Sequence, residues 1–388
     1  MSSDFLTRNR LVLAKAEITS GIDAAPTPAA DAVLVEEPRG NPKMEMEQTD
    51  EVTGSLDKTQ SIVGGGYMER TQRFFAKGSG VGGTAPEFAP YLQAAAMGQT
   101  LLAADSAGTA QAGAAGSITL AAGAPSTDLT GFVVETIGGT GPGQGRVITA
   151  YNTATKVATI YPNWTVNPDA TTTYAVRAGA MFVPVSTALK TITDYLYKKN
   201  SASGNAVLLP LVGAAANLAF AIQTRQTGKF TATLRGKLAD PQDVANPAAG
   251  VFDSVRPRPL RDADAYLGGT RVCFRNFTLD WGNQVIQSDC PGEKYGLEPA
   301  RVTMRKPTGR INPQLLTLSS RNAFADLVAG NTQKLWLRWG DTLGNKVSMY
   351  IPSLSYTGQE DDDLDGISAD GLPFEANGVD SWVYLLFY

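Results

Sequence analysis

The segment "KFTATLRG" (residues 229–236) sets Phe230, Ala232 and Leu234 on one side and Thr231, Thr233 and Arg235 on the other. This period of two predicts a half-buried strand. The runs "RVCFRNFTLDWG", "KLWLRWGDTLGNKVSMYIPSLSY" and "SWVYLLFY" alternate in the same way or are rich in β-branched and aromatic residues, so they read as strands too. Gly344-Asn345 is placed as a hairpin turn within the second of them. Helical signals are few. "TAPEFAPYLQAAAMG" predicts a helix with Thr84 as N-cap, Pro86 and Glu87 in the first turn and a stop at Gly98. A second helix is predicted over residues 320–328, with Phe324 and Leu327 on one side and Gly330 as the stop. The class is therefore mainly β with one or two flanking helices.

Composition changes between residues 105 and 180. The only charges there are Asp105, Asp128, Glu135, Arg146, Lys156, Asp169 and Arg177. The stretch opens with "SAGTAQAGAAGS", which reads as a flexible linker. It continues with the short strand patterns "GFVVETI", "GRVITAY" and "KVATIYP", separated by "GGTGPGQ" and "NTAT". The expected organisation is a main domain in two parts, 1–104 and 181–388, with a small β module inserted at 105–180. Gly139, Gly141, Gly143 and Gly145 lack phosphate-loop spacing and a following helix, so a hairpin turn is expected there. Residues 43–66, "KMEMEQTDEVTGSLDKTQSIVGGG", form a long polar excursion bounded by Gly64, Gly65 and Gly66. Connections of this length usually bind something or are disordered. A subunit-contacting arm is the reading adopted.

Chemistry is sparse. A net charge of −4 over 388 residues gives no basic footprint for gripping phosphates. No apolar run is long enough to span a membrane, and the charged start "MSSDFLTRNRLVLAKAEITS" is not a signal peptide, so cytoplasmic synthesis is expected. Cys273 and Cys290 show no metal or disulfide pattern and are expected to be buried. The chain has no histidine, which removes the usual general base and the Ser-His-Asp and Cys-His arrangements. No catalytic, cofactor or metal residue is assigned, and the expectation is a protein that is not an enzyme. "EDDDLDGISADG" opens like a calcium loop at Asp361, Asp363, Asp365 and Gly366, but its twelfth position is Leu372 and its flanks read as strands. After Lys346 there is no further Lys or Arg, while Glu360, Asp361, Asp362, Asp363, Asp365, Asp370, Glu375 and Asp380 all follow.

Several segments, in order, are similar to one family. "KAEITSGIDAAPTPAADAVLV" (residues 15–35), with Glu17, Gly21, Pro26 and Thr27 before Ala32 to Val35, resembles the opening of tail tube proteins, or major tail proteins, of long-tailed double-stranded DNA bacteriophages. "APEFAPYLQAAAMG", "GLEPARVTMRKPTGRINPQLL" and the closing "LPFEANG" with its final aromatic strand are similar as well. The inserted stretch resembles small β modules of phage structural proteins, although many tube proteins lack it or carry it at the C-terminus. The resemblance implies a tail-tube-type β-sandwich or barrel assembled as hexameric rings that stack into a hollow tube. Double-stranded DNA would pass through it transiently and non-specifically during ejection. It also implies a virion location after assembly in the host cytoplasm, with the tape measure and tail terminator as further partners. Contractile and non-contractile tails both use such tubes. The ring-stacking loop would fall on Met44, Met46, Thr49, Val52 and Leu56. The acidic loop, Asp361, Asp362, Asp363 and Asp365, would be lumenal or inter-ring, with a solvated outer turn as the open alternative. A lumenal site gains nothing from cations that hold phosphate. The alternative function is a sugar-binding adhesin or other decoration protein, which calls for exposed aromatics. Of Trp164, Trp281, Trp336, Trp339 and Trp382, only Trp164 lies outside a main-domain strand pattern.

Overall fold

The computed structural model describes residues 5–202 and 204–388. Twenty-seven strands and two short helices occur among the described residues, so the protein is mainly β. All ladders between named strands are antiparallel. One ladder path runs from Glu36–Glu47 through Ile62–Phe75, Lys229–Leu238, Asn205–Gln223, Phe274–Asp280 and Thr308–Pro313 to Ser368–Ala376. It continues through Val347–Tyr356, Tyr384–Phe387 and Gly179–Pro184 to Met97–Leu102.

Two strands change partners along their length and fold this surface over. Asn205–Gln223 pairs along one edge first with Ile192–Asn200 and then with Phe274–Asp280, and its register shifts on both sides near Gly213. Such irregularities bend a strand. Val347–Tyr356 likewise pairs with Tyr384–Phe387 and then with Ser368–Ala376. Strands far apart on the path thus face each other across one core. Phe220 stacks on Trp339 at 6.0 Å, and Phe88 touches both Phe74 (4.8 Å) and Phe387 (5.3 Å). The alternation in "KFTATLRG" has this cause: Phe230, Ala232 and Leu234 are buried in that core, and the residues between them are half-buried.

The first helix is shorter than its sequence pattern, Ala89–Ala94 with Phe88 as N-cap. Thr84 sits in a turn, its N–H donating to the Val81 carbonyl. Glu87 is drawn into an ion pair with Lys77 (3.1 Å) and accepts the Asp253 N–H (2.7 Å). The far end unwinds because Met97–Leu102 joins the sheet. The second helix is Ala323–Ala329, capped by the Asn322 side chain and stopped at Gly330. Leu327 packs on the core, but Phe324 points out, 64% exposed. The turn expected at Gly344-Asn345 is a longer loop of residues 340–346. Asn345 is buried there, accepting from Gly78 N (3.0 Å) and donating to the Arg256 carbonyl (2.8 Å).

A separate seven-stranded sheet is built from Ser106–Thr109, Ala112–Ala114, Ser117–Thr119, Val133–Gly138, Gly145–Tyr151, Val157–Tyr161 and Thr173–Val176. "SAGTAQAGAAGS" is therefore not a linker; it supplies two of these strands. Its small residues serve close packing, since a Cβ on Gly113 would run into the Pro168 carbonyl. Trp164 is buried in this module and donates to the Ser117 carbonyl (3.2 Å). The glycine cluster lies in the turn between Val133–Gly138 and Gly145–Tyr151.

The module packs directly on the main sheet. Met181, Trp336, Tyr350, Leu386 and Tyr388 belong to the same apolar cluster as its Phe132, Val147 and Tyr174. Beside them Glu135 contacts Lys346 (2.9 Å), Arg177 (2.7 Å) and Arg338 (3.1 Å). Burial works to raise the Glu135 carboxyl, but the Lys346 and Arg177 contacts outweigh it and hold the group below its ordinary range. A depressed carboxyl stabilises the fold above its unfolded value, and that contribution is lost as pH falls through the folded value. Glu135→Gln is expected to cost about 3 kcal/mol at pH 7. The gap to the native chain should narrow below about pH 4. Thermal melts across pH check both, and equal melting at pH 7 would remove Glu135 as the clasp.

Candidate assembly surfaces

The excursion at residues 43–66 is a hairpin whose two strands are joined by an irregular loop, residues 48–61. Glu36–Glu47 pairs with Ile62–Phe75 from Glu36↔Arg73 out to Glu47↔Ile62. The body of the sheet supports this pair only as far as Tyr67, which pairs with Lys237. Beyond that point the hairpin runs on for four residues of the first strand and five of the second, about 15 Å at roughly 3.3 Å per residue. Gly64, Gly65 and Gly66 lie inside the second strand rather than bounding the arm. A Cβ on Gly66 would stand 2.5 Å from the Lys43 carbonyl, so only glycine lets the two strands close there.

The arm carries apolar groups into solvent. Met44 is 39% exposed and Met46 54%, while Val52 and Leu56 in the connecting loop are fully exposed. Thr49 differs from the other four: its hydroxyl lies 2.5 Å from the Thr59 hydroxyl and pins the neck of the loop. Burying a Val or Leu side chain is worth about 1.5–3 kcal/mol, which this chain alone leaves unrealised at both positions.

The root of the arm is fixed by a buried polar network with no counterpart in the sequence reading. Residues 66, 68, 70, 72 and 74 alternate inward, which brings Arg70 and Gln72 beneath the sheet. Arg70 forms an ion pair with Asp194, both fully buried, and donates to the carbonyls of Asp194 (3.0 Å) and Leu209 (2.9 Å). Gln72 Nε2 donates to both Asp194 oxygens (3.1 and 3.0 Å), and the Tyr91 hydroxyl lies 2.6 Å from Oδ2. Burial, followed by the Asp194 charge, raises the Tyr91 phenol well above its ordinary value, so it stays a neutral donor. A second buried carboxylate, Glu17, accepts from Gly21 N (2.7 Å), Thr191 Oγ1 (2.6 Å), Thr193 Oγ1 (2.8 Å) and Gly213 N (2.7 Å). Four neutral donors satisfy it, as a buried carboxylate requires.

"EDDDLDGISADG" is also a hairpin: Glu360–Asp363 pairs with Ser368–Ala376. Asp365 (φ 58°) and Gly366 (φ 89°) both lie in the left-handed region, and Leu364 and Ile367 exchange backbone hydrogen bonds (2.9 and 3.4 Å). This is a type I′ turn, for which Asp-Gly is a favoured pair. The spacing that mimics a calcium loop is the spacing of this turn. No group of three or more His, Cys, Asp or Glu suited to a metal occurs among the described residues. Several of the carboxylates are matched by arginines earlier in the chain: Arg310 on Glu360, Arg275 on Asp365 (3.0 Å) and Arg321, in the loop before the second helix, on Asp370 (3.2 Å). Asp362 accepts from Asn312 (3.2 Å), and Asp361 and Asp363 are exposed. Cys273, expected inside, is exposed nearby, and Cys290 is partly so.

The two hairpins lie at opposite ends of one sheet. Phe75, at the end of its strand away from the arm, pairs with Lys229; Gln223 pairs with Asn276, and Phe274 with Pro313. Ser368–Ala376 starts at that same end, and the acidic hairpin extends from it. The arm tip points the other way. No protein-family model matches the chain, and no curated protein matches its sequence.

Asp194→Ala leaves the Arg70 guanidinium buried and unpaired and is expected to cost about 3–5 kcal/mol. The double change Arg70→Met with Asp194→Leu should cost less than either single change. Urea unfolding of the three variants checks this, and additive losses would show that the two groups are not coupled.

Proposed function

We propose that this chain is a structural assembly subunit, a tail-tube-type protein that forms stacked hexameric rings conducting DNA through a phage tail. The observation that carries the reading is the arm: a rigidly rooted hairpin that projects from one end of the sheet and exposes Val52 and Leu56 at its loop. A lone globular chain gains nothing from such a projection, whereas a contact that repeats without closing builds a filament. Two further features support lateral closure into a ring. Among the described residues Glu36–Glu47 pairs only with Ile62–Phe75, and Met97–Leu102 only with Gly179–Pro184, so both ends of the strand path are open edges. Open edges invite pairing with another copy, and ring closure removes them.

In this reading the acidic hairpin faces the lumen or the next ring, and no catalysis is assigned. The adhesin alternative calls for an exposed tryptophan platform. All five tryptophans are buried, Trp164 included at 5% exposure, so nothing favours it. The test is negative-stain electron microscopy of the purified chain at high concentration. Hollow striated tubes or six-fold rings are expected, and deletion of residues 48–62 should abolish the tubes while leaving the fold intact by circular dichroism. Monomers at every concentration would overturn the reading.

A further inference from the structure

The end of the sheet opposite the arm carries a cleft of about 560 Å³. Arg225, Cys273, Phe274, Arg275, Leu364 and Asp365 are among its lining residues. Its walls are the turn after Asn205–Gln223, the start of Phe274–Asp280 and the tip of the acidic hairpin. Arg225 is exposed and makes no salt bridge among the described residues. The Arg225 N–H donates to the Leu260 carbonyl (2.9 Å), which brings the exposed Arg261 to the same edge. Asp365, the acidic-hairpin carboxylate that lines the cleft, is matched by Arg275, and Glu360 and Asp370 are matched by Arg310 and Arg321. Of the charges that line the cleft, Arg275 is held by Asp365, which leaves Arg225 as the lining charge without an ion pair among the described residues.

The arm has the complementary chemistry. Residues 44–61 carry Glu45, Glu47, Asp50, Glu51 and Asp57 against Lys58 alone, around the exposed Val52 and Leu56. The acidic apolar tip and the apolar-floored cleft bearing Arg225 occupy opposite ends of one continuous antiparallel sheet. That placement prevents the arm from folding back into the cleft of its own chain. It also lets every copy offer an arm at one end and a cleft at the other. We infer that the cleft lined by Arg225, Phe274 and Arg275 is the seat for the arm of the next copy, with Leu56 entering over Phe274 and Leu364 and the Asp50–Glu51 carboxylates meeting Arg225. This names the acceptor for the stacking contact and rests on the assembly reading above.

Cys273 makes the contact directly testable, because it is exposed in the cleft. The full chain carrying Leu56→Cys and Cys290→Ser is treated at high concentration with a short bismaleimide, which traps transient as well as stable contacts. The expected result is an intermolecular link between positions 56 and 273, identified by peptide mass spectrometry and lost on Cys273→Ser. Arg225→Glu should lower its yield about tenfold at low salt, since it replaces an attraction with a like-charge contact. Adding Asp50→Lys and Glu51→Lys to Arg225→Glu should restore it. Tubes or rings in the microscope without the 56–273 link would overturn this acceptor site and leave the assembly reading standing. Absence of any intermolecular link, together with monomers in the microscope, would overturn both. A link insensitive to the charge reversals would overturn the electrostatic pairing.

Discussion

The architecture depends on a buried ion pair, Arg70 with Asp194. Taking two charges out of water costs several kcal/mol per ion before their attraction is counted, and well-packed apolar residues often serve stability as well. What the pair adds is register. Arg70 and Gln72 are inward only in the present alignment of Ile62–Phe75, and a slip of one residue would turn both to the opposite face. Such a slip would leave Asp194 buried without its ion pair and its Gln72 bonds. The arm is an extension of that same strand, so the network under the sheet sets how far and in which direction the hairpin projects.

Much of this was legible along the chain, and what was not has a common cause. Strands with one buried face announce themselves by period two, as in "KFTATLRG", because the pleat ties side-chain direction to sequence parity. The first helix is shorter than its pattern because local propensity says nothing of a sheet edge waiting for Met97–Leu102. "SAGTAQAGAAGS" looked like a flexible tether because small residues mean either freedom or close approach, and only the Pro168 carbonyl beside Gly113 decides between them. The arm was recognisable as an oddity, but its hairpin form rests on pairs such as Met44↔Gly66, and its root on Asp194, more than a hundred positions downstream.

The acidic run shows the same limit in electrostatics. Read linearly, the carboxylates after Lys346 form an uncompensated block. Folded, Glu360 and Asp362 face Arg310, Asp365 faces Arg275, Asp370 faces Arg321 and Asp380 faces Arg305. The exposed pairs of Arg275 and Arg310 contribute little individually, but they lessen the repulsion that would otherwise splay the Asp-Gly turn. Arg225, which has no such partner among the described residues, adds an exposed positive charge at the same end of the sheet.

The site at which the seven-stranded module joins the main sheet has a consequence for its removal. Met97–Leu102 and Gly179–Pro184 are direct neighbours, with Leu102 opposite Gly179. Topologically the whole module is the loop of a hairpin. The chain leaves and returns at one point, where the Asp105 carboxylate holds both Arg177 (2.7 Å) and the Ala178 N–H (2.7 Å). Loop-closure entropy grows only slowly with length, so a loop of this size burdens the parent fold little more than a short one. A tight turn could bridge the same gap without moving a strand. The apolar face that the module covers, Trp336, Tyr350 and Leu386, would then be open, so any substitute must bring a lid of its own.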